Sequence, residues 1–250
     1  MELFILIVIG LFGLCIGSFL NVCIYRIPKH ENFIVERSHC MNCGYTLAWY
    51  DLIPLFSYLF LGGKCRKCKQ KISIQYPLVE LINALLWVLV FCIKGICIQS
   101  IVDCFFVSVL ICISVIDFRT YEIPVGFNIA ILVLGLITTA LDYQNWLEHV
   151  IGFFCVSVFL YIIVWLSKGR AMGGGDVKLM AVAGMFLGWK GIVLSLVIGC
   201  ILGAVIHSIR MRVSAEGHML AMGPYLSVGI LIALLFTEPI FRAYLSLMGL

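Results

Sequence analysis

Charge is scarce in this chain. Only 12% of its 250 residues are Asp, Glu, Lys or Arg, 63% are hydrophobic, and the mean hydropathy is +1.12. That balance excludes a soluble domain of this size and leaves a polytopic membrane protein. A cleavable signal peptide is missing too. Met1 and Glu2 offer no basic n-region, the first apolar run reaches Tyr25, and no small-x-small cleavage site follows. The first run therefore stays as a transmembrane helix. Several catalytic motifs are absent: H-E-x-x-H for a membrane zinc protease, G-x-S-x-G for a serine hydrolase, and G-x-G-x-x-G or a Walker lysine pattern for a nucleotide. There is no internal repeat and no low-complexity linker, and no nucleic-acid partner is expected.

What is present is long apolar runs. They cover residues 3–25, 76–93, 101–116, 123–141, 149–167, 178–189, 192–209 and 224–241, the sixth being short enough for a partial or tilted segment. Lipid leaves backbone groups no partner but one another, so continuous runs of this length mean helices. The expected fold is all-α and polytopic, with about eight transmembrane helices and a small polar insert between the first two. Fourteen of the 17 basic residues fall on alternate loops. Arg26, Lys29, Arg37, Lys64, Arg66, Lys67, Lys69 and Lys71 lie in the first loop, followed by Arg119, then Lys168, Arg170 and Lys178, then Arg210 and Arg212. Lys94, Lys190 and Arg242 lie opposite. The positive-inside rule then puts these loops in the cytoplasm and both termini outside. Small residues four apart (Gly13/Gly17, Gly184/Gly188, Gly199/Gly203) suit close helix packing in lipid.

The organisation expected is a first helix over 1–25, a cytoplasmic insert over 26–75 and a membrane domain over 76–250. The insert is too small for a self-sufficient core. It holds Cys40, Cys43, Cys65 and Cys68, two C-x2-C pairs separated by 21 residues. That is the spacing of a tetrathiolate zinc site, with Gly44 and Gly62-Gly63 available for tight knuckles. Four thiolates leave no position for water, so the metal is structural. Two redox dithiols or disulfides are the rival reading, disfavoured by a cytoplasmic location. His39 is a bystander on this reading. The other eight cysteines lie in or beside apolar runs and serve as small hydrophobes. Cys92, Cys97 and Cys104 flank an outer loop and can pair if that side is oxidising. The insert's net charge of +5 suits lipid headgroups.

Two acids stand at the cytoplasmic membrane edge. Asp176 lies in Gly173-Gly174-Gly175-Asp176-Val177-Lys178-Leu179, and Asp117 closes the third run ahead of Ile123-Pro124. Ionisable groups at such depth are costly and usually functional. The bland alternatives are an N-cap for Asp176 and a snorkelling acid for Asp117. Brought close, two carboxylates cannot both ionise easily. The ionised one activates water and the protonated one donates to a carbonyl oxygen, which is aspartic-protease chemistry. Lys178 stabilises charge or contacts substrate, or simply snorkels. His207 and His218 lack a partnered nucleophile and read as surface or capping groups.

The chain carries, in order, Gly17-Ser18-Phe19-Leu20-Asn21-Val22, Tyr25-Arg26-Ile27-Pro28, Arg37-Ser38-His39-Cys40, Pro54 with Ser57-Tyr58, Cys65-Arg66-Lys67-Cys68, Tyr76-Pro77-Leu78-Val79-Glu80, Asp117 with Ile123-Pro124, Gly173 to Leu179, and Gly223-Pro224-Tyr225-Leu226. Taken together these motifs resemble the type IV prepilin peptidase family of bifunctional leader peptidases and N-methyltransferases. The chain departs from the family pattern at Ile-Pro-Val after Asp117 and at Met222. The resemblance implies Asp117 and Asp176 as the catalytic pair, with Gly173 and Gly175, like Lys178, as candidates to contact substrate or stabilise charge. It implies cleavage after a glycine in the leader of a prepilin or pseudopilin at the inner membrane. It further implies methylation of the new amino terminus from S-adenosylmethionine, with Asn21, Tyr76 and Glu80 as candidate cofactor-binding residues. Two alternatives stay open. One is a presenilin-like intramembrane protease, although Ile116 rather than Tyr precedes Asp117. The other is a zinc-stabilised transporter or scaffold whose acids carry protons.

Overall fold

The structure is a computed structural model that describes residues 2–32, 36–169, 172–213 and 220–248. Arg170 and His218 lie outside the described residues, as does the side chain of Arg212. Among the described residues the chain is helical, its β features being two isolated bridges, His39 with Thr46 and Lys64 with Lys71. It divides into two compact units, Met1–Ser100 and Ile101–Leu250.

The first unit packs α1 (Glu2–Arg26) against α3 (Gln75–Lys94), with the polar insert and the short α2 (Phe56–Phe60) between them in sequence. The seam is the small-residue stripe expected of α1. A Cβ on Gly13 would fall 2.7 Å from the Ala84 Cα, and one on Gly17 2.7 Å from the Glu80 Cα, so the two backbones touch. Asn83 is fully buried there and donates its amide to the Gly13 carbonyl at 2.7 Å. By this packing α3 belongs with the first unit.

The second unit contains most of α4 (Ile98–Thr120), together with α5 (Val125–Leu141), α6 (Trp146–Leu166), α7 (Gly174–Val213) and α8 (Gly223–Met248). Its core is built from Phe106, Ile113 and Ile116 of α4, Leu179, Met180 and Ile192 of α7, and Leu226 and Ile230 of α8. Phe106 and Phe186 stack at 3.9 Å between ring centroids. Helices α6 and α7 meet at Gly152 and Gly184, each of whose missing Cβ would run into the other's carbonyl.

The runs at 178–189 and 192–209, expected as two spans, are two helical arms of α7 that part at Gly188, where φ is 73° and ψ 174°. Only glycine occupies that region without strain. Lys190 opens the second arm just beyond the break, and its ammonium reaches Glu148 at 3.5 Å. Six helices among the described residues are long and apolar enough to cross a membrane. Counting the 17-residue α5 and the two arms of α7 separately gives eight apolar segments. Large apolar side chains such as Leu3, Phe4, Phe12, Phe159 and Ile201 are exposed on them, as lipid-facing surfaces require. Cys23, Cys104 and Cys112 are packed inside; Cys92, Cys97 and Cys104 are in no disulfide.

Candidate active site and metal centre

The last turn of α4 and the first turn of α7 carry the two acids. Asp117 is 5% exposed and Asp176 8% exposed. Asp117 Oδ2 accepts a hydrogen bond from the backbone N–H of Gly223 at 2.8 Å. Gly223 is the first residue of α8, so the carboxylate occupies the end of that helix where unpaired N–H groups and the helix dipole favour negative charge. Asp176 is not the N-cap of α7 but its third residue, and its carboxylate reaches back to the N–H of Gly173 ahead of the helix. The charge of Asp117 bears directly on Asp176. A Cβ on Gly175 would lie 3.4 Å from the Cβ of Ile123, so the segment after α4 rests on the glycine run. Lys178 is exposed on the first turns of α7.

Gly223 fixes more than one hydrogen bond. A Cβ at this position would fall 2.7 Å from Asp117 Oδ2 and 2.9 Å from its Cγ, so only a residue without a side chain lets the acid seat. The sequence motif carries Gly223-Pro224 but not this role, since the partner is 106 residues away. The local signal is Gly-Pro opening an apolar run, a helix start with room for an anion.

In the insert the two C-x2-C pairs fold as matching knuckles. Cys40 N–H donates to Tyr45 O at 2.8 Å and Gly44 N–H to Cys40 O at 2.9 Å. Cys65 N–H donates to Gln70 O at 2.8 Å and Lys69 N–H to Cys65 O at 3.0 Å. All four sulfurs lie within 4.8 Å of one another, and Cys40 Sγ is 3.8 Å from Cys68 Sγ. Four sulfurs at about 2.3 Å from a tetrahedral ion are separated by roughly 3.8 Å, so the residues fit a zinc ion. The backbone prepares the ligands. The N–H of Gln70 is the main cause that draws the Cys68 thiol down to about 6, and those of Cys43 and Asn42 lower Cys40. Asp51, buried after the first knuckle, holds Arg66 of the second at 2.7 Å. The four cysteines thus form a closed cluster able to bind a metal.

A cavity of about 650 Å³ lies in the first unit between the insert and the ends of α1 and α3, and Asn21, Tyr76 and Glu80 all line it. Glu80 is 6% exposed and accepts from Leu55 N–H at 2.7 Å and from Ser18. Leu55 has φ 61° and ψ −51°, a strained positive-φ conformation that this bond helps to hold. Asn21 donates to Gly17 O at 3.3 Å and Tyr76 O at 3.0 Å.

Comparison with known proteins places this geometry. A family model described as the bacterial peptidase A24 N-terminal domain matches residues 11–94, and one for the type IV leader peptidase family matches residues 104–208. The chain is 32% identical to a prepilin leader peptidase/N-methyltransferase of Pseudomonas putida, over 95% of this chain and 92% of that protein. It is 34% identical to the protein of that name from Pseudomonas aeruginosa, over 96% and 93% of the two chains. For the Bacillus subtilis relative the figures are 32%, 96% and 98%. The chain belongs to the type IV leader peptidase family. Within this member of the family, the first match spans the cysteine cluster and the cavity, and the second spans both aspartates but stops short of Gly223. No solved structure matches the chain.

Proposed function

We propose that this multi-pass membrane protein is an aspartic endopeptidase that removes the leader of type IV prepilins or pseudopilins after a glycine. On this reading the site faces the cytoplasm across the inner membrane, and the enzyme then methylates the new amino terminus. What supports the peptidase reading most is the seating of Asp117 on the Gly223 N–H beside buried Asp176. A carboxylate oxygen that accepts from a helix N-terminus is favoured as the anion, so Asp117 is the base that takes a proton from the attacking water. Asp176, buried and facing that anion, holds its proton and gives it to the carbonyl oxygen of the scissile bond. Water adds without a covalent acyl-enzyme. As the tetrahedral species collapses, Asp117 gives the proton taken from water to the leaving amine nitrogen and Asp176 recovers its own from a hydroxyl of the gem-diol. Lys178, exposed two residues after Asp176, would meet substrate or lipid headgroups.

The methyltransferase reading rests on the cavity of the first unit, whose size suits a nucleoside-bearing ligand. Asn21, Tyr76 and Glu80 would hold S-adenosylmethionine or its methyl acceptor there. S-adenosylmethionine supplies an activated methyl group on sulfonium sulfur. Cys40, Cys43, Cys65 and Cys68 would hold a zinc ion, which would fix the cavity wall in place. The test is cleavage of purified prepilin in detergent by wild type, Asp117→Ala and Asp176→Ala, with mass spectrometry of the product. Cleavage and a methylated terminus in wild type, with both variants folded but inactive in cleavage, are expected. Cleavage that survives either substitution rules out the aspartate pair, and a silent wild type favours a transporter or scaffold.

A further inference from the structure

One buried acceptor in the first unit has no donor. Asn21 is 2% exposed, and its Oδ1 carries no hydrogen bond even though its amide nitrogen is engaged twice. Those two bonds, to the carbonyls of Gly17 and Tyr76, fix which end of the amide is the acceptor. A buried acceptor left unpaired is costly, and its presence in a cavity wall points to an N–H donor brought by a ligand.

The neighbouring turn supplies a second acceptor. Gly17 and Ser18 lie one turn before Asn21 on α1, and Glu80 lies one turn after Tyr76 on α3. Gly17 packs on Glu80, Ser18 bonds to it, and Asn21 bonds to the backbone of Tyr76, so the Asn21 oxygen and the Glu80 carboxylate share one seam. Both line the cavity. Two of the cations in the same wall are already engaged. The guanidinium of Arg26 donates to the carbonyls of Asn32, Glu36 and Arg37 at 3.1, 2.8 and 3.3 Å, and that of Arg66 is bound to Asp51. Lys71 is exposed at the rim. A floor of acceptors beside occupied cations selects a cationic donor, and a primary ammonium brings three N–H groups to such acceptors.

We propose that Asn21 Oδ1 and the Glu80 carboxylate form an ammonium site that docks the free amino terminus of the processed substrate for methylation. This deepens the methyltransferase reading and rests on it. An ammonium nitrogen has no lone pair, so it must first lose a proton, and Glu80 is the group in reach to accept it. The freed lone pair forms the nitrogen–carbon bond as the methyl carbon–sulfur bond breaks, and that electron pair leaves on sulfur as a neutral thioether. The methylated amine is left as a secondary ammonium, and Glu80 returns its proton to solvent. Asn21 is a binding group and Glu80 both binds and takes the proton.

The test uses the full chain in detergent with zinc content and thermal unfolding as controls of fold. Calorimetry compares a peptide beginning with free phenylalanine against the same peptide acetylated, and S-adenosylhomocysteine is titrated separately. Wild type should prefer the free amine by about tenfold or more, the scale of a charge-assisted contact. Glu80→Gln keeps an acceptor for Leu55 but should reduce that preference to twofold or less and abolish methylation. S-adenosylhomocysteine binding should stay within threefold. Asn21→Leu should weaken the free-amine peptide selectively, without the same loss for the acetylated one. A preference that persists in both folded variants overturns the site. Loss confined to S-adenosylhomocysteine assigns the floor to the donor's own ammonium and overturns the acceptor assignment. A wild type that cleaves but never methylates removes the reading on which the site rests, a result distinct from either.

Discussion

Replacing Gly223 by alanine adds one methyl group where the structure has no room for it. The new Cβ would stand 2.7 Å from Asp117 Oδ2, 2.9 Å from Cγ and 3.0 Å from Cβ. Unstrained contacts of this kind begin near 3.5 Å, so the carboxylate or the first turn of α8 must retreat by about 0.5–0.8 Å. The Gly223 N–H, now 2.8 Å from Oδ2, is drawn away by the same movement. A misplacement on the order of 1 Å costs roughly 100-fold in rate, or about 2.7 kcal/mol of barrier. The expected outcome is a kcat for prepilin cleavage about 30–100-fold below wild type, with KM changed little, because the leader's contacts are untouched. Gly126→Ala is the matched control, since a Cβ there meets no atom within 4 Å. It should cleave normally, with its thermal unfolding close to wild type. Initial rates over a range of prepilin concentrations decide the matter. A folded Gly223→Ala enzyme within threefold of wild type would refute the claim that this glycine seats Asp117.

Three further outcomes are expected. Asp117→Asn and Asp176→Asn should each lower cleavage by about 10²–10⁴-fold while leaving the detergent-solubilised protein folded, and near-normal turnover in either would exclude a paired-acid mechanism. Purified protein should carry one zinc ion held by Cys40, Cys43, Cys65 and Cys68, as read by elemental analysis. Cys40→Ser with Cys65→Ser should lose the metal and open the segment between the knuckles to limited proteolysis, whereas unchanged metal content would place the ion elsewhere. Gly152→Val should destabilise the α6–α7 contact by about 1–3 kcal/mol in thermal unfolding, because its side chain would enter the Gly184 carbonyl and the Gly188 backbone. An unaltered melting temperature would show that this contact can relax.

The parts legible in the sequence were those governed by local spacing. The two C-x2-C pairs announce their knuckles because each needs only a few residues and one that takes positive φ: Gly44 at 66° in the first, and in the second Lys69 at 59° rather than Gly62 or Gly63 ahead of the pair. Gly13 and Gly17 announce the seam with α3 for a similar reason: one helix face carries the whole pattern. Lys190, a charge inside an apolar run, reads as a boundary, and α7 does break two residues before it at Gly188, with the charge met by Glu148 and the ring of Trp189. Asp176 was visible as an acid beside glycines, yet its place at the third helical position depends on where α7 starts, which hydropathy alone does not fix. Gly223 at Asp117 and Asn21 at the Tyr76 carbonyl are long-range pairings, 106 and 55 residues apart. No periodicity encodes such meetings.

The bond between Asp117 and Gly223 also orders events during synthesis. Asp117 leaves the ribosome early, at the end of α4, but the N–H that seats it belongs to the last helix of the chain. A nascent chain holding both aspartates therefore still lacks the group that orients one of them. On the proposed chemistry the protease stays inert until α8 has been translated and inserted. Neighbouring membrane segments that emerge beside it are spared, and a truncated product lacking α8 would be harmless rather than unregulated.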